Sequence, residues 1–122
     1  VRAALPLVLL ALVVAADAHA ADAPPRFLVF DVAASRATHA LKVDTVVADD
    51  SRQVASRRYR TTLLYRCDGH AWRTAFRTTP TAASITRSWR YPARLAGHRC
   101  QLRAIVELGR LRGRSVVLSR LL

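Results

Sequence analysis

At 122 residues the chain has room for one domain, and its net charge of +12 comes almost wholly from arginine, Lys42 being the lone lysine. No internal repeat or low-complexity tract is present. Beyond the first twenty residues no apolar run approaches the roughly 18–20 residues a membrane helix needs, which argues against a helical membrane span.

Arg2 precedes an apolar run from Ala3 to Ala16, and Ala18-His19-Ala20 follows. A short basic start, an apolar core and a small-x-small site form the pattern of a secretory signal peptide over residues 1–20, cut after Ala20 or, as second choice, Ala18. An uncleaved anchor with Pro6 inside the run is the lesser alternative. Cleavage removes Arg2 and Asp17, one charge of each sign, so the mature chain keeps the +12 of the whole. It is expected outside the cytoplasm, in the periplasm or the medium. Residues 21–25 form a small-residue, Pro-containing leader expected to be extended and mobile.

The domain proper spans 26–122. Arg26 to Ala33 is β-rich and forms the first expected strand, followed by a turn at Ala34 to Thr38. His39 to Ala48 alternates, with Leu41, Val43, Thr45 and Val47 on one face, as a half-buried strand does. Asp49 to Arg57 is a polar surface loop.

Tyr59 to Thr78 carries the strongest local signal. Asp68-Gly69 between two alternating runs marks a tight hairpin. A two-residue loop sets Cys67 opposite His70, Tyr65 opposite Trp72, Leu63 opposite Thr74, Thr61 opposite Phe76 and Tyr59 opposite Thr78. Those residues share one face, which reads as core. Arg58, Arg60, Arg66, Arg73 and Arg77 fall on the other, with Arg60 directly opposite Arg77.

Pro80 ends the hairpin, since proline cannot continue a ladder. Ser84 to Tyr91 alternates with Ile85, Trp89 and Tyr91 on one side, and Arg87 interrupts that side. Pro92 to Gly97 is a loop. His98 to Leu108 places Cys100, Leu102, Ala104, Val106 and Leu108 together, so a strand is favoured over a helix. Gly109 to Gly113 is a turn, and Arg114 to Leu122 is the last strand. About seven short strands with regular turn signals predict an all-β fold: an antiparallel β-sandwich of immunoglobulin-like or fibronectin-type architecture.

Two cysteines in an exported chain are expected to pair, Cys67 with Cys100. In such a sandwich the third and sixth strands are antiparallel neighbours, and the bridge would join adjacent ends of them.

Three kinds of site compete. The arginine face, with Arg60, Arg66, Arg73, Arg77 and Arg103 as anion-binding candidates, suits phosphate or carboxylate groups, because guanidinium binds them bidentately and keeps its charge. Arg114 and Arg120 share a phase and would extend it. The partners this suggests are an anionic glycan, a lipid or an acidic protein. A merely solvated, edge-protecting surface is the competing reading. No nucleic-acid motif is present, so sequence-specific nucleic-acid recognition is not expected.

The second site is the cluster Cys67-Asp68-Gly69-His70 with His98-Arg99-Cys100. His70 and His98 are the metal-ligand alternative there, and a disulfide would remove both thiolates. Catalysis is the third, and it has little support. The loop pair Asp49-Asp50 is explained by loop polarity, and no nucleophile elbow, phosphate loop or zinc-protease motif occurs. No cofactor is expected.

Tyr65-Arg66-Cys67-Asp68-Gly69 resembles the Tyr-x-Cys-Asp-Gly start of the membrane-bound inhibitors of c-type lysozyme, which are small exported β-barrels. The match covers five residues, stands late in the chain, and lacks the Ser-Gly-x-x-Tyr segment expected downstream, so no residue role is carried over. The expectation is therefore a non-enzymatic exported binding or structural module with a cationic sheet face. An interaction subunit or inhibitor of an acidic partner and a small metal-binding protein are the alternatives.

Overall fold

The computed structural model describes residues 23–49 and 57–122. The signal-peptide reading of residues 1–20, the start of the leader and most of the polar loop after Asp49 lie outside the described residues.

Among the described residues eight strands follow in order: β1 (Arg26–Ser35), β2 (Ala40–Ala48), β3 (Arg60–Cys67), β4 (Arg73–Arg77), β5 (Ser84–Arg90), β6 (Arg99–Leu108), β7 (Leu111–Arg114) and β8 (Leu118–Leu121). All pairings are antiparallel. One sheet has three strands in the order β1-β2-β5. The other has five, β4-β3-β6-β7, with β8 also pairing β6. The expected all-β fold is thus present as two antiparallel sheets in sandwich-like packing. The region from Arg99 to Leu108 is a strand and not a helix, because Cys100, Leu102, Ala104 and Val106 are all buried on one face.

The core is the two facing sets of alternating residues. Leu41 and Val43 of β2 cluster with Leu63 and Tyr65 of β3 and Leu102 of β6, Val47 clusters with Tyr59 and Val106, and Thr45 and Ala104 are buried as well. Each large aliphatic side chain removed from water stabilises by about 1.5–3 kcal/mol. Trp89 of β5 reaches Tyr65 across the sheets at 4.9 Å between ring centroids, and Tyr91 follows Trp89 at 6.3 Å.

The hairpin turn is as expected: Asp68 and Gly69 both have positive φ, at 53° and 75°, and the His70 amide donates to the Cys67 carbonyl. The register beyond it differs from the expected one. Tyr65 pairs with Arg73 and Leu64 with Thr74, one residue out of the simple hairpin count. A second shift of one residue then follows, so Leu63 pairs with Phe76 and Thr62 with Arg77. Each single-residue slip exchanges faces, and two slips restore them. Hence Phe76 and Thr78 are buried as expected, whereas Thr74 is exposed and Trp72, expected in the core, is not among the core residues. Thr78 instead closes on Thr61 in both directions, and Tyr59 bridges to Thr81.

The C-terminal strand is also divided. Gly109 and Arg110 alone form the turn, and Leu111 begins β7, where a longer turn was expected. Between β7 and β8, Ser115 bridges the gap. Its Oγ accepts from the Ala104 amide at 2.8 Å and donates to the Val116 carbonyl at 2.7 Å. The break shifts the register on β6 by one residue, from Ile105 opposite Arg114 to Leu102 opposite Leu118. Pro25, expected at the end of a mobile leader, is fully buried, and a Cβ at Gly113 would come within 2.0 Å of its carbonyl oxygen.

Candidate functional site: an arginine face on the five-stranded sheet

The outer face of the five-stranded sheet is set by the alternation of β3 and β6. Because Thr61, Leu63, Tyr65 and Cys67 point inward, Arg60, Thr62, Leu64 and Arg66 point out. Because Cys100 to Val106 alternate inward on β6, Gln101, Arg103, Ile105 and Glu107 point out. The ladder sets Arg66 opposite Gln101, Leu64 opposite Arg103 and Arg60 opposite Glu107. Arg114 opposite Ile105 and Arg112 opposite Glu107 widen the face along β7.

Trp72 sits on this face. The Arg66 guanidinium lies over its ring at 4.6 Å from the centroid, and the Arg103 guanidinium at 5.8 Å. Such contacts contribute about 0.5–1 kcal/mol at exposed sites. The Arg66 Nε–H also donates to Gln101 Oε1. Arg103 Nε is buried and has no hydrogen-bond partner among the described residues. The indole therefore organises two cations from neighbouring strands into one platform. Sequence pattern alone missed Trp72 as part of the site, since a tryptophan opposite Tyr65 in a two-residue hairpin reads as core.

The expected opposition of Arg60 and Arg77 does not occur. Arg77 pairs with Thr62, and Arg60 pairs with Glu107 on the other side of β3. Arg77 Nη2 lies 3.4 Å from Glu107 Oε1, so a carboxylate stands where mutual repulsion was expected. The pair is half-exposed and contributes little to stability. It lowers the positive potential at that end of the face and leaves Arg66 and Arg103 as the centre.

Two further placements differ. Arg73 is opposite Tyr65, on the inner rim of the sheet, so the slip that brought Trp72 outward carried Arg73 away from the other candidates. Arg120 is opposite Cys100. The break at Ser115 turned it inward, where its Nε–H donates to the Val32 carbonyl at 2.9 Å and its Nη2 lies 3.9 Å from Asp31. Arg87, which broke the pattern on β5, covers the Phe76 ring at 4.6 Å. A charge at the rim of the sandwich blocks edge-to-edge association.

Cys67 and Cys100 lie directly opposite one another on β3 and β6, with Cα atoms 4.1 Å apart, and form a disulfide. Both sulfurs are thereby withdrawn from metal binding. His98 Nδ1 lies 2.6 Å from Asp68 Oδ2, both exposed, while His70 lines a separate cleft. Among the described residues no three potential metal ligands converge, and no helix is long and apolar enough to cross a membrane. The chain matches no family model and no curated protein.

Proposed function

We propose that this is an exported, non-enzymatic binding module whose outer five-stranded face takes an anionic polymer or surface: an acidic glycan, a lipid headgroup layer or an acidic protein. The observation that carries the reading is the Arg66–Trp72–Arg103 platform. Two guanidinium groups on adjacent strands are held over one indole, with Arg60, Arg77, Arg112 and Arg114 around them and Glu107 as the carboxylate on that face. Fixed guanidinium groups meet sulfate, phosphate or carboxylate without first losing side-chain entropy.

The strand order supports a fibronectin-type architecture, since β4 joins the sheet of β3 and β6 and leaves β1, β2 and β5 as the other. The disulfide supports an oxidising compartment. Fold type carries no function by itself, and the surface does.

The test is retention on immobilised heparin and on anionic lipid vesicles as salt rises. Exposed charge attraction is screened within about 8–10 Å at physiological ionic strength, so elution should depend steeply on salt. Arg66→Glu with Arg103→Glu, which replaces both cations of the platform, should elute at clearly lower salt. Unchanged elution of this double variant would leave the face as a solvated surface. Retention on heparin but not vesicles selects a glycan, the reverse a lipid. Neither, with a stable native complex, selects an acidic protein.

A further inference from the structure

On the inner rim of the sheet, beside the disulfide, is a cleft of about 160 Å³ lined by Tyr65, Arg66, Cys67, His70, Ala71, Arg73, Arg94 and Leu95. Its floor is apolar, since Tyr65, Cys67 and Leu95 are buried in the core cluster. Its rim holds three guanidinium groups and an imidazole, and among the described residues no carboxylate lines it.

The nearest acid in sequence, Asp68, is engaged by His98. Arg66 is held by Gln101 and by the Trp72 ring. Arg73 and Arg94 have no ion-pair partner among the described residues. Arg73 is here for a definite reason: the first register slip of the hairpin placed it opposite Tyr65. Arg94 arrives from the short 3-10 turn Ala93–Leu95, whose Leu95 anchors it to the core.

Convergent cations around a concave apolar floor repel one another until an anion enters. The volume is below the roughly 300–1,000 Å³ of a drug-sized site, so it suits a headgroup and not an extended ligand. We infer that this cleft binds a small oxyanion, a phosphate or carboxylate headgroup, in the fork of Arg73 and Arg94, with a short apolar portion against Leu95 and the disulfide. The cleft borders the outer face and shares Arg66 with it, but the fork of Arg73 and Arg94 lies outside the Arg66–Trp72–Arg103 platform, so the two sites are tested by different variants.

The test is a titration of the intact, oxidised protein with inorganic phosphate and, separately, benzoate, followed by amide NMR shifts. Saturable shifts at Ala71, Arg73 and Leu95 are expected. Phosphate saturating at lower concentration than benzoate identifies a phosphoryl headgroup, and the reverse an aryl or alkyl carboxylate. Arg73→Ala with Arg94→Ala should weaken binding at least tenfold while leaving elution from heparin near that of the wild type. Ala71→Glu, at an exposed position outside the ladder, should weaken it similarly and serves if the double variant does not fold. Linear, non-saturating shifts, or equal affinity in the Ala71→Glu protein, would overturn the assignment.

Discussion

Removal of the disulfide has the most calculable consequence. The bond closes a 33-residue loop between Cys67 and Cys100. That loop leaves β3, forms β4, crosses to the other sheet as β5, and returns through the Ala93–Leu95 turn to β6. Restricting a loop of this length in the unfolded chain stabilises the folded state by about 3–4 kcal/mol on the chain-entropy argument. A domain this size has roughly 5–15 kcal/mol in total, so the bond supplies a large share. Cys67→Ala with Cys100→Ala should lower stability by at least that amount, a fall in Tm of roughly 12–30 °C. Urea denaturation followed by tryptophan fluorescence measures it. The m value should rise, because an uncrosslinked unfolded chain exposes more surface. A loss below about 1 kcal/mol with an unchanged m value would refute the reasoning, since the unfolded chain would then hold the two positions together without the bond.

Other expectations follow from single side chains. Ser115→Ala leaves the buried Ala104 amide without its partner and should cost about 1–3 kcal/mol, with Ser115→Thr recovering part of it; equal urea midpoints for Ala and wild type would contradict that role. Burial first, then the charge and hydrogen bond of Asp49, raise the Tyr59 hydroxyl above its ordinary 10.0. Folding therefore holds this proton more tightly than the unfolded chain does. The contribution is complete below pH 10.0 and is lost as pH rises through the folded value, so wild type should lose stability more steeply above that pH than Tyr59→Phe. Parallel pH profiles for the two proteins would rule it out. Glu107→Gln should move heparin elution to higher salt while changing stability by less than about 1 kcal/mol, because it removes the carboxylate beside Arg77. Earlier elution would count against the outer face.

What the sequence disclosed and what it concealed have a common physical cause. Leu41 to Val47, Thr61 to Cys67 and Cys100 to Val106 alternate without interruption, because each strand has one face in the core and any slip would bury its polar set. The Cys67–Cys100 pairing was expected from two cysteines in an exported chain, and those phases set the two residues opposite one another. At the site, Arg60, Arg66, Arg77 and Arg103 were legible as outward residues for the same reason. Trp72, Arg73 and Arg120 were not. The faces of Trp72 and Arg73 depend on the slip between the turn and the Tyr65–Arg73 pair, and that of Arg120 on the break at Ser115; each exchanges faces locally and leaves no change in residue type to announce it. The two slips in the hairpin cancel by Phe76, so the strand looks regular at both ends and is inverted only between them. Arg87 was the reverse case. It broke an apolar pattern without breaking the strand, because a long side chain at a rim can lie over Phe76 and still reach water.

The outer face is tested most directly through the two tryptophans, which lie on opposite sides of the five-stranded sheet. Arg66 and Arg103 both contact the Trp72 ring, and Trp89 packs on Tyr65 in the interior. Titration of the oxidised protein with a sulfated oligosaccharide, followed by the two indole N–H resonances, separates them. A saturable shift of the Trp72 signal and of the Gln101 and Arg103 amides, reversed by salt and absent at Trp89, is the expected result. Saturable binding that leaves Trp72 unmoved would contradict the assignment of this face as the binding surface.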